Sequence, residues 1–212
     1  MYLFSRRTRI SPGHMRDAMT WAVGITEQVN RITGIRVALY TRVFSPEVGS
    51  IAWATFVPDL AMLETANDKL MTDDTYVTSV DTGAMMTVGG ADDGLYQVVH
   101  GEPDPDRSIE YVTTVESVCA NGAFARGLEV GVECARLAES ITGVPTLFTA
   151  GTTGSYGSVA WFSGFENIES MERSQAALAA DKRWTELIDD QASKVYVSDP
   201  GATRSLCYRR VV

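Results

Sequence analysis

Residues 2–34 of this chain align without a gap on residues 111–143, and that self-similarity limits the fold more than any other feature. Tyr2 matches Tyr111, Gly13 matches Gly122, Val23 matches Val132, and Ile32-Thr33-Gly34 matches Ile141-Thr142-Gly143. A shift of one residue then places Gly49-Ser50-Ile51-Ala52-Trp53 on Gly157-Ser158-Val159-Ala160-Trp161. Leu60, Leu70 and Asp73 continue onto Ile168, Leu178 and Asp181. Blocks in the same order at nearly the same offset predict a tandem duplication. The first repeat covers residues 1–101, the linker residues 102–110, and the second repeat residues 111–212.

Each repeat reads β-α-β-β-α-β. Tyr2 to Ile10 alternates as a strand, and Ser11-Pro12-Gly13 breaks it before a helix with apolar positions Met15, Ala18, Met19, Ala22, Val23 and Val29. Gly34 stands where a helix C-terminal glycine belongs. The run from Ile35 to Phe44, the turn at residues 45–49 and the run from Ser50 to Val57 predict a hairpin. Pro58-Asp59 opens a second helix, and strand material around Ala84 to Val88 and Leu95 to His100 closes the half. The second copy runs over roughly 111–119, 122–141, 144–151, 158–165, 167–180 and 193–209.

Composition narrows the function classes. Hydrophobic residues are 45% and charged residues 21%, which is ordinary globular usage. No apolar run approaches the roughly 20 residues of a membrane helix, and the N-terminal arginines follow the apolar residues, the reverse of a secretory signal, so no membrane partner and a cytoplasmic location are expected. A net charge of −9 argues against nucleic acid. Cys119, Cys134 and Cys207 form no CxxC pair and read as buried thiols; no HxxxH or HExxH pattern marks a metal site. The glycines of residues 150–157 lack a P-loop lysine and read as a hairpin turn.

In Ser50 to Val57 one face offers Ile51, Trp53, Thr55 and Val57, the other Ser50, Ala52, Ala54 and Phe56, so both faces need cover. Two helices cover only one face of a four-stranded sheet, and the duplicated sheet is the natural partner for the other. The fold class is therefore α+β, two ferredoxin-like halves whose antiparallel sheets close as an α+β barrel. The β-α-β-β-α-β order, the Gly-Ser-x-Ala-Trp strand, and the helix ends near Asp73-Asp74-Thr75-Tyr76 and Asp181-Lys182-Arg183-Trp184 resemble the dimeric α+β barrel superfamily, above all its antibiotic-biosynthesis-monooxygenase and NIPSNAP-like branches. The resemblance implies a small-molecule-binding barrel: a cofactor-independent monooxygenase-like or isomerase-like enzyme on a small aromatic or polyketide-like substrate, in a homo-oligomer. The alternative is a non-enzymatic ligand-binding or assembly module, and a haem-binding barrel comes third.

The ligand-binding candidates are Arg36, Tyr40, Arg42, Arg6, Trp53 and His100. Arg36, Tyr40 and Arg42 share one face by strand parity and offer a cationic, aromatic-walled surface for an anionic or phenolic ligand. Arg6, Arg7 and Arg9 add charge on the first strand. The competing reading has these arginines bridging to acids or lying on the rim. Trp53 and Trp161 occupy equivalent positions, which favours packing over substrate contact. No cofactor is predicted; in a haem-binding member a histidine would be the proximal ligand, and His100 is better placed than His14.

Overall fold

The computed structural model describes residues 1–199 and 201–212. Its first elements are β1 (Tyr2–Ile10), α1 (Met15–Thr33), β2 (Ala38–Val43), β3 (Ser50–Val57), α2 (Leu60–Met71), α3 (Asp74–Ala84) and β4 (Thr87–His100). The chain continues through β5 (Tyr111–Val118), α4 (Phe124–Thr142), β6 (Thr146–Gly151), β7 (Ser158–Phe165), α5 (Ile168–Ala180), α6 (Lys182–Leu187) and β8 (Arg204–Arg210). A π-helical turn, Ile188–Ala192, and the short helix Ser193–Val195 stand between α6 and β8.

The eight strands close in the order β1-β3-β2-β8-β5-β7-β6-β4. Read around the circle, β4-β1-β3-β2 and β8-β5-β7-β6 each repeat the 4-1-3-2 sequence of a ferredoxin-like sheet. The fold is thus α+β with an antiparallel closed barrel, as the sequence predicts. The chain divides into two compact units, Met1–Leu95 with Arg209–Val212, and Tyr96–Tyr208.

Local chemistry explains the element ends. Helices α1 and α4 both stop at a glycine in the left-handed region, Gly34 at φ 74° and Gly143 at φ 69°, where an L side chain is strained. Two features differ from the sequence reading. An extra helix, α3, precedes β4, which is one continuous strand, and in the second unit α6 with the π-turn adds helical structure over 182–192 while the strand read at 193–209 is confined to Arg204–Arg210. Aspartates start both: the Asp73 carboxylate accepts the Tyr76 N–H at 2.9 Å and Asp181 accepts the Arg183 N–H at 2.8 Å.

In the first unit the helix-facing side of the sheet sends Ile51 and Leu39 into a core with Ile10, Ala18 and Ala22, against which Trp21 and Trp53 pack. In the second, Phe148 and Val159 join Val130, Cys134, Ala135 and Tyr196, with Trp161 packed alongside. All three cysteines are buried and unbridged.

Candidate functional site

Strand register in the first unit puts Arg7 opposite Ala52, and Ala52 opposite Tyr40. Ile51 and Leu39 bury themselves under the helices, so alternation turns Ala52 and Tyr40 to the opposite face, and Arg7 with them. The neighbouring row on that face is Ser5, Ala54 and Ala38, and on the other side Arg9 pairs with Ser50, with Arg42 two residues beyond Tyr40. The middle strand therefore offers only Ser50, Ala52 and Ala54, and the longer side chains of this face, Arg7, Arg9, Tyr40 and Arg42, stand on the two flanking strands. At ~4.8 Å per strand, the Arg7 and Tyr40 backbones stand roughly 10 Å apart. The small-residue floor from Ser50 to Ala54 runs for about 14 Å at ~3.4 Å per residue.

Arg210 joins this face. Val211 donates its N–H to the Leu39 carbonyl at 2.8 Å and packs against the helix-side core, which turns Arg210 the other way. Burial pushes the Tyr40 phenol pKa up, and the positive charge of Arg210 pulls part of that back. Tyr40 is accordingly a protonated phenol at neutral pH, a hydrogen-bond donor beside a guanidinium.

The remaining candidates lie elsewhere. Arg6 is on the helix side, where its Nε and Nη2 donate to both Asp93 oxygens at 2.7 and 2.8 Å and its guanidinium lies 5.8 Å from the Phe4 ring centre. That is a structural bridge. Arg36 is exposed and precedes β2, and its carbonyl accepts the Thr55 hydroxyl at 2.9 Å. Trp53 faces the helices, donating its indole N–H to Thr26 Oγ1 at 2.8 Å and meeting Trp21 edge-on at 5.6 Å. Arg42 stays on the Tyr40 face with its guanidinium on Glu47, at the turn between β2 and β3.

His100 pairs in register with Phe148, so it too faces the helices, and its Nε2 lies 3.4 Å from Glu139 Oε2 of α4. Glu139 is held by the Thr146 N–H at 3.0 Å. Phe148 has no exposed surface, so the space beside His100 is filled. A haem held by His100 does not fit this arrangement. His14 is exposed at the start of α1. Among the described residues no group of three His, Cys, Asp or Glu side chains is placed to hold a metal ion.

Arg7 and Arg210 stand on this face without being among the sequence candidates. Parity sets Arg7 on the opposite face from Arg6, and the packing of Ile51 and Leu39 under the helices makes it the face turned away from them. Arg210 had no such signal, since its strand is ordered next to β2 only in three dimensions.

On the second unit, the matching rows read Glu116-Ala160-Thr149 and Thr114-Phe162-Leu147. Tyr96 meets the Phe162 ring edge-on at 6.2 Å, and Thr149 is fully buried, its hydroxyl donating to the Ala160 carbonyl at 3.1 Å. This face is packed where the first unit's has a floor of small residues.

No protein-family model matches the chain, and no curated protein matches its sequence. Among solved structures it is similar to a candidate monooxygenase from Fusobacterium nucleatum subsp. nucleatum ATCC 25586, at 6% identity and TM-score 0.71, over 100% of this chain and 92% of that one. It is also similar to an anthrone oxidase-like protein, at 13% identity and TM-score 0.70, over 100% and 91% of the two chains. A chlorite dismutase from Candidatus Nitrospira defluvii, in complex with imidazole, aligns at 12% identity and TM-score 0.56, over 98% and 90%.

Proposed function

The chain has the fold of the dimeric α+β barrel superfamily, and we propose that its first unit binds a small anionic or phenolic aromatic molecule as a cofactor-independent monooxygenase-like or isomerase-like enzyme. The observation that carries this reading is the Arg7-Ala52-Tyr40 row with Arg210 beside it. A guanidinium stabilises an oxyanion that develops as a substrate phenol or enol loses its proton to solvent, and Tyr40, protonated, donates a hydrogen bond to the same oxygen. The enolate so held is an electron-rich carbon. In the oxygenase branch an activated CH2 reacts with O2 to give a carbonyl and water, with the substrate supplying all the electrons. In the isomerase branch the proton returns at a different carbon.

The likeness in fold to a candidate monooxygenase and an anthrone oxidase-like protein supports the oxygenase branch. In this reading the two halves are copies that have specialised differently, and the chain forms a homo-oligomer whose solution mass exceeds that of one chain.

The test is calorimetric binding of salicylate and 1-naphthol to the whole protein, followed by oxygen uptake with anthrone as substrate. Binding lost in Arg7→Gln and weakened in Tyr40→Phe, with anthrone consumed at one O2 per molecule, supports the enzyme. Binding without oxygen uptake or isomerisation leaves a ligand-binding module, and binding unaffected by both substitutions removes the site.

A further inference from the structure

Along β3 the face turned away from the helices changes character every second residue. Arg9 stands opposite Ser50, and Arg7, Ala52 and Tyr40 form the next row. Then come Ser5, Ala54 and Ala38, three short side chains abreast, and after them Leu3 opposite Phe56. Val57 packs with Ile35 and Ala66 under the helices, which turns Phe56 to the same face as Ala54. Charge therefore lies at one end and hydrocarbon at the other, with the small row between them. Phe56 is 37% exposed, and Ser5, Ala54 and Ala38 are each half-buried, so solvent reaches the small row as well.

The second unit fills the same place. Its row is Thr114, Phe162 and Leu147, each larger than its counterpart, and Thr114 is buried. We infer that Ser5, Ala54 and Ala38 seat the ring system of the ligand, and that Ala54 sets how large that ring system can be. With the ligand oxygen at the Arg7-Tyr40 row, a single ring covers Ala52 and ends there. Ala54 lies roughly 7 Å further along β3, so a second fused ring extends over the small row, with Phe56 beyond its far edge. A phenyl group at this position, as Phe162 supplies in the second unit, occupies the seat instead.

This inference rests on the reading of the Arg7-Tyr40 row as the oxygen-binding site, and its test separates the two. Phenol and 1-naphthol are titrated calorimetrically into wild-type protein, Ala54→Phe, Ala38→Leu and Arg7→Gln, and the Ala54 methyl resonance of the wild type is followed with each ligand. The wild type is expected to bind 1-naphthol at least about tenfold more tightly than phenol, because the added ring buries further apolar surface. Ala54→Phe and Ala38→Leu, which install the second unit's residues, weaken 1-naphthol about tenfold and change phenol by less than about threefold. The ring current of bound 1-naphthol shifts the Ala54 methyl resonance well beyond the shift with phenol. A preference that survives in Ala54→Phe, or a methyl that 1-naphthol does not move, overturns the inference; the oxygen site then stands if Arg7→Gln still abolishes binding of both ligands. Loss of the preference in Ala54→Phe with no response to Arg7→Gln supports the ring seat and removes the oxygen site. Equal affinity of the wild type for the two ligands overturns the seat alone, and binding of neither overturns both. If Ala54→Phe does not fold, Ala38→Leu and the wild-type methyl shift decide.

Discussion

The two units solve the same packing problem with exchanged sizes and then diverge on their other faces. Under the helices of the first unit Leu39 shares a core with Ala22; at the matching positions of the second, Phe148 lies against Gly131. A Cβ added at Gly131 would stand 2.0 Å from the Phe148 ring, so the larger strand residue requires the smaller helix residue. The tryptophans follow suit. Trp53 donates to the Thr26 hydroxyl, while Trp161, facing an alanine at the matching Ala135, donates to the Gly131 carbonyl at 2.9 Å. The two half-buried indoles are satisfied by different partners. Away from the helices no such compensation holds: Arg7 is matched by Glu116 and Tyr40 by Thr149. Packing constrains the first side, and chemistry is free to vary on the second.

The most damaging way to break this comparison is Trp161→Ala. Trp161 packs between Phe148 (4.9 Å) and Tyr196 (5.4 Å), and its loss is expected to cost about 3 kcal/mol in urea unfolding. A cost under about 1 kcal/mol would show that the second unit's core does not depend on it. Next comes Gly131→Ala, expected to destabilise by about 1–3 kcal/mol. Adding Phe148→Leu should recover much of that, because the pair then matches the first unit's, and additive losses in the double variant would sink the size-exchange account.

A pH titration sharpens the same contrast. In the second unit burial pushes the Cys134 thiol from 9.0 up to about 12, with Glu133 adding to it, and raises Cys119 and Tyr196 as well. Each pKa stands above its unfolded value, so the stability these neutral groups contribute is whole below pH 9 and is lost as the pH climbs towards 12. Denaturant midpoints should fall over that window, and Cys134→Ala should flatten the fall. The smallest effect is Tyr40→Phe, expected to change stability by less than about 1 kcal/mol while weakening salicylate binding.

The repeat, the hairpins and the helix-ending glycines were all legible because they depend on spacing and on single residues such as Gly34 and Gly143. That Tyr40 and Arg42 share a face follows from alternation, which a strand enforces. Parity alone does not carry the helix-side placement of Arg6 and His100: alternation says which residues share a face, but only packing says which face meets the helices. Helix α3 was overlooked because its polar sequence, with Asp73 as its cap, carries little apolar periodicity.

Residues 209–212 have a consequence for how the protein comes to exist. Val211 and Val212 exchange backbone hydrogen bonds with Leu39 and belong to the first unit, yet they are synthesised after every residue of the second. A domain built from one continuous stretch can finish folding while the ribosome is still translating the next. The first unit cannot; its β2 waits, with the Leu39 N–H and carbonyl uncommitted, until translation has passed through the whole of the second. Synthesis of residues 209–212, rather than emergence of residue 100, sets the moment at which the Tyr40 face gains Arg210 and the first unit is complete.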